Sequence, residues 1–142
     1  TAGYPEKHFE APNLEIDLRR LKDKVDAGAD YIMTQMFFDN EKYFSYVKSC
    51  RDMGITVPII PGLKPITSKK QLSVLPRIFH VDIPTELSTE IMKCKTDEDV
   101  EMVGTKWLIN QSKELKKFGA PVLHFYTLGK SKVVENVVRE LV

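Results

Sequence analysis

Residues 31–40 read YIMTQMFFDN. The run from Tyr31 to Phe38 is apolar apart from Thr34 and Gln35, and it has the length of one strand. It then breaks into Asp39-Asn40, a pair suited to capping the start of a helix. Tyr43, Phe44, Val47 and Cys50 line one side of that helix at helical spacing, and Gly54 stands where it should stop. The strand does not alternate apolar with polar. That lack of alternation is the pattern of a parallel strand covered on both faces.

The same unit recurs on either side. Upstream, Asn13 can cap a helix striped by Leu14, Leu18, Leu21 and Val25, with Gly28 as its stop. Before it, TAGYP reads as the end of a strand. Downstream comes the strand VPIIPG, then Ser68 and a short helix around Leu72 and Leu75. HVDIPTELSTEIMKC reads as a loop and then a helix with Pro84 near its first turn. Thr96 can cap the longest helix, striped by Val100, Val103, Trp107, Gln111, Leu115 and Phe118 and ended by Gly119. PVLHFYTL reads as the last strand, and Val133, Val134, Val137, Val138 and Leu141 stripe a final helix. Strands alternating with helices predict an α/β fold with right-handed crossovers. A doubly wound sheet and part of a (β/α)8 barrel both satisfy the pattern.

The 142 residues suffice for one domain. Basic and acidic side chains nearly cancel, 21 against 20, and no basic block offers a footprint for nucleic acid. No apolar run reaches the roughly 18–20 residues that a membrane span needs. Cys50 and Cys94 are far apart and in no metal or redox spacing, which fits a reducing, cytoplasmic setting better than a disulfide framework. There is no Gly-rich phosphate loop, nucleophile elbow or metal-ligand spacing.

Polar residues collect where the strands end: Tyr4, Glu6 and His8 after the first, Gln35 inside the second, Gly62 and Lys64 after the third, Thr127, Gly129 and Lys130 after the last. In parallel α/β folds this is the ligand-binding end. Each has an ordinary alternative. His8 can be a hydrogen-bonded loop histidine. Gln35 would cost about 1–3 kcal/mol if buried unpaired, so it needs a partner, either structural or a ligand. Gln71 completes a capping-box pattern with Ser68. Asp17, Arg20 and Lys24 share one helical stripe, which is either a solvated edge or a cationic rim for a phosphate-bearing cofactor. The aromatic pairs in Met36-Phe37-Phe38 and Phe125-Tyr126 read as core.

The ordered set AGYPEKHFEA, KVDAGADYIMTQMFFD, VPIIPGLKPI and LHFYTL spans the chain. Together these segments resemble the catalytic domain of the methylenetetrahydrofolate reductases, flavin-dependent enzymes of one-carbon metabolism. The resemblance implies a (β/α)8 TIM barrel of which residues 1–142 form the C-terminal half, from the end of strand five through strand eight and the last helix. The N-terminal half would lie outside this sequence. It implies ping-pong hydride transfer through FAD, from NADH or NADPH to 5,10-methylenetetrahydrofolate. It places Tyr4, His8, Ala11, Asp17, Arg20 and Lys24 at the flavin, and Gln35, Gln71 and Lys130 at the folate. Lys130 stands where the family often has arginine, Gly129 where it has asparagine, and Asp23 where some members are basic. The family's proton-donating glutamate belongs to earlier strands, so no catalytic residue is assigned here, and Glu6 is not given that role. The alternative expectation is a half-barrel that binds flavin or folate, or pairs with another chain, without turnover. Alone, the chain is expected to need the other half or a second copy. Open sheet edges and the inward faces around Gln35, Ile60 and Phe125 would otherwise be exposed.

Overall fold

The computed structural model describes residues 1–142. In chain order its elements are β1 (Ala2–Gly3), α1 (Leu14–Asp26), β2 (Ile32–Met36), α2 (Asn40–Asp52), β3 (Ile59–Leu63), α3 (Gln71–Phe79), α4 (Thr85–Lys93), α5 (Asp97–Phe118), β4 (His124–Phe125) and α6 (Lys132–Leu141). The start signals act as their chemistry predicts. Asn13 Oδ1 accepts from the Ile16 N–H at 2.9 Å, and Asp39 Oδ1 from the Glu41 N–H at 3.0 Å. Thr96 and Asp99 form a reciprocal capping box at the start of α5. Gly119 ends α5 at φ +100°, in the left-handed region that favours glycine.

The four strands form one parallel sheet in the order β1-β2-β3-β4. Spatial order follows chain order, so there is no reversal of the kind that defines a doubly wound sheet. With crossovers of one hand and no reversal, the helices must gather on one face. The core shows that they do. Ile32, Ile59 and Leu63 of the sheet pack with Leu18 and Leu21 of α1, Tyr43 and Cys50 of α2, Leu108 and Leu115 of α5 and Val137 of α6. Burying each such aliphatic side chain contributes about 1.5–3 kcal/mol. A second cluster closes the C-terminal end of the sheet, where Met36, Phe38 and Ile66 meet Leu75, Val81, Leu87, Ile91 and Val100. Gly104 permits this closure. A Cβ there would stand 1.9 Å from the Ile66 carbonyl oxygen, so only glycine lets α5 lie against that backbone.

Three expectations change. β2 is covered fully on one face only: Ile32 and Thr34 are buried toward the helices, while Met33 and Gln35 on the other face are partly open. The last strand pairs over just His124 and Phe125, against Gly62 and Leu63. Pro121, with no N–H, stands outside it. Phe125 turns into the helix-side core, not onto the opposite face, because its register partner Leu63 points that way.

β2 and β3 slip in register: Met33 lies opposite Ile60, but Met36 lies opposite Gly62. Three steps on β2 match two on β3, so backbone groups lose their ladder partners. Side chains replace them. Thr34 Oγ1 accepts from the Gly62 N–H at 2.9 Å, and Gln35 Oε1 accepts from the Met36 N–H at 3.0 Å.

Candidate functional site

The site begins with that slip. Gln35 needed a partner, and its oxygen has a structural one in Met36. This fixes which end of the carboxamide is which. The oxygen is held, and the NH2 group makes no hydrogen bond on the face of the sheet away from the helices.

The segment after β1 folds over this point. Tyr4 and His8 meet edge to face with ring centroids 4.6 Å apart, His8 stacks on Phe9 at 4.9 Å, and Phe9 stacks on His80 at 4.5 Å. The aromatic series carries the segment from the sheet to the end of α3. Asp17 Oδ2 accepts from the His8 N–H at 2.9 Å, which ties the segment to α1. Lys7, at φ +73°, donates to the Ala11 carbonyl at 2.6 Å and closes the turn that buries Ala11. A small cavity of about 10 Å³ remains between Tyr4, Glu6, Gln35, Met36, Phe79 and His80. Tyr4, His8, Ala11, Asp17 and Gln35 therefore belong to one neighbourhood.

α1 carries four basic residues, and they divide cleanly. Arg19 pairs with Glu15 and Lys22 with Asp26. Arg20 and Lys24 pair with no carboxylate and donate no hydrogen bond to the protein. Their exposed charges are free for an anion.

Gln71 performs the backbone role its motif suggests. Its Oε1 accepts from the Thr67 N–H at 2.7 Å and the Ser68 N–H at 3.3 Å. The reciprocal Ser68 cap is absent, and α3 begins only at Gln71 itself. Its NH2, like that of Gln35, is uncommitted. Lys130 is exposed, just after Gly129 at φ +82°. It follows β4 and so shares the C-terminal end of the sheet, but no direct bond links it to Gln35 or Gln71.

Several residues gain importance only in three dimensions. Tyr126 lies across Gly62, its hydroxyl donating to the Thr34 carbonyl at 2.8 Å. Glu6 Oε1 accepts from the Asp82 N–H at 3.1 Å, while its Oε2 is buried without a partner. Burial pushes the Glu6 carboxyl up to about 7, helped by the nearby Asp82 charge and opposed by the Asp82 N–H bond and Lys42. Lys64 is buried at 6% exposure. The sequence sets Glu6 and Lys64 at strand ends, but no local pattern marks their burial, because neighbours distant in sequence cause it. The largest cleft, of about 750 Å³, lies elsewhere, between the start of α2 and α5. There Gln111 Nε2 donates to the Phe37 carbonyl at 2.9 Å and Trp107 Nε1 to the Phe38 carbonyl at 3.0 Å. Those bonds fasten α5 to the chain beyond β2, away from Gln35 and Lys130. No group of three or more His, Cys, Asp or Glu side chains could hold a metal ion.

Comparison with known proteins gives this end of the sheet a context. A family profile described as "Methylenetetrahydrofolate reductase" matches residues 1–142. The chain is 36% identical over 142 residues to a Caenorhabditis elegans protein named "Probable methylenetetrahydrofolate reductase (NADPH)". It is 37% identical over 150 residues to the Arabidopsis thaliana "Methylenetetrahydrofolate reductase (NADH) 1". Each match covers 99% of this chain but only 21% and 25%, respectively, of the relative. A solved structure of an uncharacterised Clostridium thermocellum protein, described as binding two copies of 5-methyl-5,6,7,8-tetrahydrofolic acid, superposes with a TM-score of 0.62 at 19% identity. The superposition covers 98% of this chain and 50% of that one, and it shows a shared fold.

Proposed function

The chain belongs to the methylenetetrahydrofolate reductase family, and from that membership we propose that it forms part of an oxidoreductase converting 5,10-methylenetetrahydrofolate to 5-methyltetrahydrofolate, with NADH or NADPH as electron donor. The observation that carries this reading is the Gln35 carboxamide. Its oxygen is held by the Met36 N–H, so its NH2 is presented as a fixed donor on the open face at the ligand-binding end of the sheet. A pterin edge offers ring-nitrogen and carbonyl acceptors that suit such a donor. Gln71, with its oxygen also committed, is the second candidate donor to the folate, and Lys130 is the candidate cation. That a protein of the same fold is described as binding a methyltetrahydrofolate supports the substrate class.

The family implies FAD, and the residues here fit it. Arg20 and Lys24 have cationic groups that no carboxylate neutralises, unlike Arg19 and Lys22 on the same helix. Tyr4 and His8 supply aromatic surface one turn of chain away, anchored to α1 through Asp17. Arg20 and Lys24 would bind the phosphates, while Tyr4, His8 and Ala11 would pack against the remainder. Bound there, the flavin would supply a hydride carrier between the dinucleotide and the folate. The protein's part is to hold both partners in line and to keep the donor amides aimed.

The sequential parallel order and the one-sided helix layer support a wider assignment: an arc of a (β/α)8 barrel, strands five to eight. Its partly open face, with Met33, Gln35 and Ile60, would face the barrel interior, and its edge strands would be closed by the other half or by a second copy. The free thiols Cys50 and Cys94 support a reducing, cytoplasmic setting. The test is the reaction itself. Full-length protein loaded with FAD should form 5-methyltetrahydrofolate when given NADH or NADPH and methylenetetrahydrofolate. Flavin reduction by dinucleotide with no consumption of the folate would sink the proposal.

A further inference from the structure

β3 alternates. Ile59 and Leu63 enter the helix-side core, so Ile60 and Gly62, and then Lys64 immediately beyond the strand, fall on the opposite face. Lys64 keeps only 6% exposure, yet it donates no hydrogen bond and takes part in no ion pair. Pro65 and Ile66 beside it are buried as well. The stem is buried while the ammonium itself reaches the surface, with no counter-charge bonded to it. β4 lies beside β3, with Phe125 opposite Leu63, so a second cation, Lys130, follows the neighbouring strand at the same end of the sheet. Burial and Lys130 together lower the Lys64 pKa from the ordinary lysine value. Two cations thus leave the same end of the sheet, and neither forms an ion pair with a carboxylate of this chain.

We propose that Lys64 and Lys130 form a paired cationic clamp that holds an oxyanion of the bound substrate. The inference rests on the folate-reductase reading above and adds Lys64 as a positioning and specificity residue. Lysine is a compact point charge without the planar fork of arginine, so two lysines from different strands can share one oxyanion where a single guanidinium would grip it bidentately. Two sources present that chemistry: a carboxylate of the folate's glutamate, and the pyrophosphate of the nicotinamide dinucleotide.

The test compares wild-type full-length protein with Lys64→Met, which keeps the volume of the stem and removes the charge. Binding is measured for 5-methyltetrahydrofolate and for its analogue with the glutamate replaced by a neutral methylamide. The KM for the dinucleotide is measured alongside. A loss of about tenfold to a hundredfold in folate affinity, with the methylamide unaffected, assigns the clamp to the carboxylate. A comparable rise in the dinucleotide KM alone assigns it to the pyrophosphate. Equal losses for folate and methylamide, or unaltered binding of both with unaltered KM, overturn the clamp. A lower melting temperature with unaltered binding also overturns it, because Lys64 would then serve only the stability of the fold. If wild-type protein binds no folate and turns over none, the reductase reading fails and the clamp fails with it. Folate turnover with an indifferent Lys64→Met defeats the clamp alone.

Discussion

Tyr126 reaches across the whole width of β3 to donate its hydroxyl to the carbonyl of Thr34 on β2, at 2.8 Å. The bridge exists because Gly62 lies beneath the ring. A Cβ on Gly62 would stand 2.3 Å from the Thr34 carbonyl oxygen and 2.7 Å from the Tyr126 ring. One bond thus ties β4, which pairs over two residues, to the middle of the sheet.

Tyr126→Phe removes the bond and leaves the Thr34 carbonyl to find another donor. The expected loss is about 1 kcal/mol of stability. Gly62→Ala should cost more, about 1–3 kcal/mol, because ring and backbone must both shift. Urea titration of the two variants checks the order. A Gly62→Ala protein as stable as wild type would refute the close packing.

Gln35→Ala removes the uncommitted NH2 and also the acceptor for the Met36 N–H. Gln35→Glu keeps an acceptor there and replaces the donor with an anionic oxygen. Both should slow folate reduction by roughly ten- to a hundredfold and leave flavin reduction by the dinucleotide near normal. Stopped-flow measurement of the two half-reactions separates them. Equal damage to both would make Gln35 a purely structural residue of the register slip.

Lys24→Ala and Arg20→Ala should weaken FAD retention, most visibly at low ionic strength, where a phosphate contact is strongest. Lys22→Ala, which loses only its partner Asp26, is the control and should retain flavin. Flavin content after gel filtration is the readout. Equal retention in all three variants would return Arg20 and Lys24 to a solvated edge.

Glu6 makes stability depend on pH. Its folded pKa is raised from 4.5 to about 7, mainly by burial. The folded state therefore holds a proton that the unfolded chain releases between those values. Stability from this group is fully present below about 4.5 and is lost as pH rises to about 7, after which both states are ionised. The loss should be about 1–2 kcal/mol, discounted from the full linkage value because the carboxyl is only partly buried. Glu6→Gln mimics the protonated form and keeps the acceptor for the Asp82 N–H, so it should flatten the profile. Chemical unfolding at pH 5 and pH 8 tests this. An unchanged slope in Glu6→Gln would assign the pH dependence to another group.

Gln71 has its oxygen in the backbone of the preceding turn and its NH2 free. Gln71→Glu retains the acceptor and should preserve the melting temperature while weakening folate binding. Gln71→Ala should lower stability by about 0.5–1 kcal/mol as well. Normal folate affinity in Gln71→Glu would leave only the capping role.

The sequence by itself determined the elements and most helix ends, though not the extent of β4 or the start of α3. Asn13, Asp39 and Thr96 cap the helices they precede, and Gly119 stops the longest, because capping is a contact between residues within a few positions of one another. It also determined that the strands are parallel, since each is followed by a helix that must return the chain, and the ordered segments together carried the family resemblance. The tertiary structure alone decided the rest. Strand order, with no reversal, is a relation between segments tens of residues apart, and so the choice of one covered face was not legible in YIMTQMFF. The register slip that fixes the Gln35 amide depends on Gly62, 27 positions on. The burial that raises the Glu6 pKa and covers the Lys64 stem comes from segments far along the chain. Electrostatic environment is a property of the neighbours that folding brings together, and no local pattern encodes it.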